Sequence, residues 1–87
     1  MMDKLRENEV RALVDAGAIR GARALADGDR WYVVLDVGTR QRVLASHRRH
    51  RREYRDLTRL VKWLRELGIG RVEVDSTHFS SQGGAAL

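Results

Sequence analysis

The chain has 87 residues, of which 43% are hydrophobic, so it contains enough apolar surface for one small folded domain. It has no cysteine, which excludes disulfide bonds and thiolate metal sites, and no apolar run approaches the roughly 18 residues of a membrane span. The formal net charge is +5 and the pI is about 10.7, which favours an acidic partner such as nucleic acid.

The first predicted element is a helix over residues 3–16. Its apolar side chains share one stripe, which consists of Leu5, Val10, Ala12, Leu13, Val14 and Ala16. Either Asp3 or Asn8 is a suitable N-cap, so the helix can begin after either residue. Gly17 supplies the left-handed residue with which helices commonly end.

An antiparallel meander of three strands is predicted next. The strands are expected over residues 18–26, 30–37 and 40–45. Tight turns rich in glycine and aspartate connect them at residues 27–29 and 38–39. Gly21, inside the first strand, predicts either a β-bulge or a close approach of another group. In the second strand, alternation places Trp31 and Val33 on one face and Tyr32 on the other.

A second helix is predicted over residues 58–67, and a last strand over residues 71–75. The helix has an apolar stripe at helical spacing, formed by Leu57, Leu60, Val61, Leu64 and Leu67. Asp56 or Thr58 is its expected N-cap, and the Gly68-Ile69 pair predicts a Schellman ending.

These elements together predict a single small α+β domain. Its order is helix, three antiparallel strands, helix and strand, with both helices packed on one face of the sheet. The domain is expected to span residues 1–78, followed by a flexible tail over residues 79–87, which lacks hydrophobic periodicity.

Most of the net charge is concentrated in residues 46–55, here called the basic segment. Five arginines less one glutamate give it a charge of +4, against +5 for the whole chain. Arginine donates paired hydrogen bonds to phosphate oxygens and releases counterions on binding, so this density predicts contact with nucleic acid. The competing interpretation is a solvated basic face, and either a strand or a loop is compatible with the pattern. The predicted nucleic-acid-binding residues are His47, Arg48, Arg49, His50, Arg51, Arg52 and Arg55.

The sequence contains no constellation typical of an enzyme. His47 and His50 are spaced three apart, but the neighbouring arginines would repel a metal cation. Asp27 and Asp29 are explained by turn chemistry. We therefore expect a protein that is not an enzyme and that has no cofactor, metal or catalytic residue.

Three segments in this order resemble a family of small plasmid proteins. They read EVRALVDAGAIRGA at residues 9–22, QRVLAS at 41–46 and YRDLTRLVKWLRELGIGRVEVD at 54–75. The arrangement is similar to the ParC-type partition-associated proteins. The resemblance implies a bacterial, cytoplasmic accessory protein of plasmid or mobile-element maintenance, and it carries over no binding site. The dense arginine run is where this chain departs from the family pattern.

The expected function is therefore a non-catalytic accessory role in plasmid or mobile-element partition, with nucleic acid, foremost duplex DNA, as the partner. The alternative is a protein–protein interaction module, a homodimeric adaptor that binds an acidic surface of a partition or replication protein. An exposed strand edge or Trp63 would then form the dimer. The N-terminal residues lack the apolar core of a signal peptide, so a cytoplasmic location without membrane contact is expected.

Overall fold

The fold is a five-stranded sheet with two helices, and it confirms the predicted α+β class. The computed structural model describes residues 3–45 and 51–80. The elements in chain order are β1 (Asp3–Leu5), α1 (Glu7–Asp15), β2 (Ile19–Asp27), β3 (Arg30–Val37), β4 (Arg40–Leu44), α2 (Leu57–Glu66) and β5 (Glu73–Asp75). No helix within the described ranges is long and apolar enough to cross a bilayer.

The sheet is mixed, with the order β1-β4-β3-β2-β5. The central strands β2, β3 and β4 form the predicted antiparallel meander. The predicted last strand is present as β5, but the sheet has five strands and not three plus one, because the additional strand β1 lies at the opposite edge. β1 pairs with β4 and β5 pairs with β2, each over three residues. Such short strands present little unpaired backbone at the two ends of the sheet.

The strand β1 replaces the first turn of the helix predicted over residues 3–16. Leu5 is paired with Leu44, and each of these side chains is 1% exposed. Three residues carry too little periodicity to distinguish a strand from a helix, so the pairing with a distant strand decides the outcome. The apolar stripe of α1 is narrower than predicted: Val10 is fully buried, whereas Ala12 is exposed.

The N-cap of α1 is Arg6, and neither Asp3 nor Asn8 has this role. Oε1 of Glu9 accepts a hydrogen bond of 3.0 Å from the backbone N–H of Arg6. This is one half of a capping box; arginine has no side-chain acceptor with which to form the other half. Capping by a residue three positions downstream explains why the helix begins after a residue that is a poor N-cap.

The core lies between the sheet and both helices, as predicted. Small side chains of β2 (Ala22, Ala24 and Ala26) alternate towards it and allow the helices to approach the sheet closely. On β3, Trp31, Val33 and Leu35 face the same core. The buried residues of both helices belong to this one cluster, so both helices pack on one face; these residues are Val10, Leu60 and Leu64.

The helix α2 begins and ends through the expected local chemistry. Asp56 is the N-cap, and its Oδ1 accepts a hydrogen bond of 2.9 Å from the N–H of Thr58. At the other end, the N–H of Ile69 donates to the carbonyl of Leu64 at 2.9 Å, while Gly68 has a φ of 100°. These features form the predicted Schellman motif. The predicted bounds of α2 were displaced by one residue at each end.

A β-bulge interrupts the pairing of β2 with β3, as one of the two interpretations of Gly21 predicted. Ile19 pairs with Val37 and Gly21 pairs with Asp36, so Arg20 is left without an opposite residue. The second interpretation is also confirmed, because a Cβ on Gly21 would lie 3.0 Å from Oδ2 of Asp36. The bulge therefore directs the side chain of Arg20 away from the regular ladder.

The chain after β5 returns to the turn between β2 and β3. Gly28 donates a hydrogen bond of 3.1 Å to the carbonyl of His78 and accepts one of 2.9 Å from the N–H of Ser80. The ring of Phe79 stacks on Trp31 with centroids 5.6 Å apart. The boundary expected at residue 78 thus falls within a paired segment, and residues 81–87 of the predicted tail lie outside the described residues.

Candidate nucleic-acid interface

The part of the basic segment that the structure describes begins at Arg51. Arg51 pairs with Ala45, and Tyr54 pairs with Trp31 through hydrogen bonds of 2.7 and 2.8 Å. Residues 51–54 form an extended segment at the end of the sheet. Four of the seven predicted binding residues, His47, Arg48, Arg49 and His50, lie outside the described residues; Arg51, Arg52 and Arg55 are described.

Arg51 is held by two carboxylates and an aromatic ring. Its Nη2 lies 2.6 Å from Oδ2 of Asp27, and its Nε donates to Oε2 of Glu53 at 3.0 Å. The guanidinium carbon lies 4.0 Å from the centroid of the Tyr32 ring, which faces away from the helices. Burial alone would lower the pKa of Arg51, but the hydrogen bonds and charges of Asp27 and Glu53 outweigh it and the pKa is raised.

Arg52 is held on the opposite face of the sheet. Its guanidinium carbon lies 4.7 Å from the centroid of the Trp63 ring on α2. Its Nη1 is 3.8 Å from Oε1 of Glu7, at the start of α1. Cation–π and ion-pair contacts of this kind connect the segment to both helices. Arg51 and Arg52 are therefore bound within the fold, and each has less charge to offer a phosphate than its place in the sequence suggests.

Tyr54 lies beside Arg52 in the packed layer between β3 and α2. Its ring centroid is 6.1 Å from that of Trp63, and within the described residues the buried phenol oxygen has no partner of good hydrogen-bond geometry. Burial raises the pKa of Tyr54, and the nearby positive charge of Arg52 partly offsets that rise. The stacking of nucleic-acid bases on Tyr54 or Trp63 would require both rings to leave this packing.

Arg55 and the outer face of α2 carry a group of four exposed cations. Arg55 is exposed, and Arg59, Lys62 and Arg65 are exposed at spacing i, i+3 and i+6. This spacing places the three helical side chains within one arc of the surface. Among the described residues, none of these four cations has an ion pair. One acid, Glu66, lies in the same arc.

Arg59, Lys62 and Arg65 are not among the binding residues predicted from the sequence, because that prediction depended on the run of adjacent arginines. A signal was present, since these residues occupy the positions that the apolar stripe of α2 leaves to solvent. Charge density along the chain is a poorer guide than charge on one face, because neighbouring residues in an extended segment point to opposite sides. Arg51 and Arg52 are an example of that alternation.

No group of three or more histidine, aspartate or glutamate side chains in the described parts of the chain is placed to hold a metal ion. Comparison of the chain with protein-family models, with curated proteins and with solved structures found no match. The function is therefore argued from the residues themselves.

Proposed function

We propose that the protein is a non-catalytic accessory protein of plasmid or mobile-element maintenance in the bacterial cytoplasm. It binds nucleic acid, foremost duplex DNA, through the basic segment and an adjoining surface formed by Arg55, Arg59, Lys62 and Arg65. The maintenance role rests on the resemblance of residues 9–22, 41–46 and 54–75 to the ParC-type proteins. The binding role rests on charge.

The observation that supports binding is the segregation of paired and unpaired cations. Arg51 and Arg52 contact carboxylates and rings of the fold, whereas the four cations of the adjoining surface have no carboxylate partner among the described residues. Unpaired arginine and lysine side chains on one face can neutralise several phosphates at little cost in desolvation. Contacts to phosphate carry no base information, so the expected binding is weakly dependent on sequence.

The test is fluorescence anisotropy with labelled duplex DNA, single-stranded DNA and duplex RNA, each titrated across salt concentrations. If all four surface cations contact phosphates, log K should fall with log salt at a slope of roughly −3 to −4. We expect duplex DNA to bind more tightly than the other two probes. If none of the three probes binds at low salt, the proposal is contradicted. The basic surface is then only a solvated face.

A second candidate function is a homodimeric adaptor that binds a partition or replication protein. Val61, Val74 and Phe79 support it, because these large apolar side chains are 40%, 47% and 46% exposed. Trp63, which the sequence predicted as a dimer contact, packs against the core and beneath Arg52, which makes it a poor contact residue. Sedimentation over a range of protein concentrations tests this candidate; a monomer at every concentration would exclude the homodimer.

A further inference from the structure

Strand β2 is covered by a neighbour along only part of its outer edge. On one side it pairs with β3 over its whole length, apart from the bulge. On the other side β5 pairs only with Arg23, Ala24 and Leu25. In the part of the chain that the structure describes, no strand lies beside residues 19–22 of β2 on this side, and the backbone of residues 68–72 forms no hydrogen bond to them. Unpaired strand backbone is the surface to which an added strand binds.

A cleft lies along this uncovered stretch. It has a volume of about 260 Å³ between residues 19–22 of β2 and the C-terminal ends of α1 and α2, where Val14 and Ile69 line it. A second depression of about 570 Å³ continues it past Gly70 to the start of β5. The cleft is open to solvent, which suits an extended peptide better than a small molecule that needs to be enclosed.

Two arginines flank the cleft without a carboxylate partner among the described residues. Arg20 is the bulged residue of β2, and Arg71 precedes β5; both side chains are exposed and both line the cleft. A bulge discourages indiscriminate strand pairing, so a strand that adds here needs a further source of affinity. Carboxylate side chains of the added strand that contact Arg20 and Arg71 supply this affinity.

We propose that this cleft binds an extended acidic peptide segment of another protein, which adds to the sheet beside residues 19–22. The peptide backbone pairs with the uncovered edge of β2. Its acidic side chains contact Arg20 and Arg71. An apolar side chain enters the cleft between the helix ends. The site is separate from the surface of Arg55 and α2, so it stands independently of the proposed nucleic-acid binding.

The experiment is a titration of the full-length, isotopically labelled chain, followed by amide NMR. The probe is a short blocked peptide of alternating glutamate and valine; the matched control peptide carries lysine in place of glutamate. We expect the amide resonances of residues 19–22 and 68–72 to shift with the acidic peptide only. Charge reversal by Arg20→Glu with Arg71→Glu should weaken binding about tenfold or more.

A second variant separates this site from overall charge. Arg59→Glu with Lys62→Glu changes the net charge by the same amount on the outer face of α2, and it should leave peptide affinity within about twofold. Equal shifts with the lysine peptide, or no shift at residues 19–22 with either peptide, would overturn the proposal. Perturbation of these amides by duplex DNA and not by the acidic peptide would also overturn it.

Discussion

Arg51 and Asp27 are 24 residues apart in the chain, and their side chains meet at 2.6 Å. The contact joins the basic segment to the turn between β2 and β3. Together with the pairing of Ala45 with Arg51, it holds the chain at Arg51 against the sheet. Arg51, which the sequence predicted to bind nucleic acid, thus also anchors the segment to the fold.

Loss of this contact should lower stability slightly. We expect Asp27→Asn to reduce the free energy of unfolding by up to about 1 kcal/mol, because the pair is partly exposed and Arg51 retains Glu53. In a chain of this size such a change lowers Tm by several degrees. Thermal unfolding at low and high salt measures it, and the difference should shrink at high salt.

Asp29→Asn is the matched control, since it removes the same charge from the same turn. Asp29 faces Arg30 at 3.6 Å, an exposed pair between adjacent residues. We expect a smaller change than for Asp27→Asn. Equal losses in the two variants would show that turn chemistry, and not the contact with Arg51, accounts for the effect.

The end of α2 provides a second prediction. Gly68 has a φ of 100°, and a Cβ there would lie 2.8 Å from Cγ1 of Val14. Gly68→Ala should therefore cost more than the roughly 1 kcal/mol of the left-handed backbone alone. Gly17→Ala has the backbone cost without the clash, because nothing lies within 4 Å of its Cβ. Denaturant unfolding should rank Gly68→Ala as the more destabilising variant, and the opposite order would contradict the packing described.

Tyr54 provides a prediction about pH. Its raised pKa means that the folded protein retains the phenol proton at a pH where the unfolded chain has lost it. The contribution of Tyr54 to stability is fully present below about pH 10, the ordinary pKa of tyrosine. It is lost as the pH rises through the pKa that Tyr54 has in the folded protein. Tyr54→Phe should remove this alkaline loss. Near neutral pH it should change stability little, because the buried oxygen has no partner of good hydrogen-bond geometry among the described residues and loses only its contact with Arg52.

The other tyrosine, Tyr32, is the control for this experiment. It lies under Arg51 on the helix-free face, where Tyr32→Phe leaves the ring available for the cation–π contact. We expect this variant to retain the alkaline loss of stability. If Tyr32→Phe abolishes that loss and Tyr54→Phe does not, the assignment to Tyr54 is wrong.

The sequence predicted the central strands, both helices and the edge strand β5, and it missed the other edge strand, β1. Patterns that act within a few residues were readable: the Asp56 cap, the Schellman ending at Gly68 and the bulge at Gly21. β1 and β5 are three residues long, and both owe their pairing to strands far away in the chain. Local periodicity cannot report such partners, so β1 was absorbed into the predicted helix.

The candidate site was predicted from charge alone, and the fold changes which of its arginines have a carboxylate partner. The run of arginines ends at Arg55, which precedes the exposed cations of α2. The roles of Arg51 and Arg52 depended on Asp27 and Glu7, carboxylates far from them in the chain. Composition reports the number of charges, whereas the fold determines which of them are already paired.

The most direct measurement is the salt dependence of duplex DNA binding for two matched double variants. Arg59→Ala with Lys62→Ala removes two cations from the proposed surface; Arg11→Ala with Arg40→Ala removes two elsewhere. We predict that the first variant weakens binding and makes the log–log slope shallower by roughly 2, while the second leaves the slope nearly unchanged. Equal effects of the two variants, or no effect of either, would contradict a nucleic-acid surface on α2.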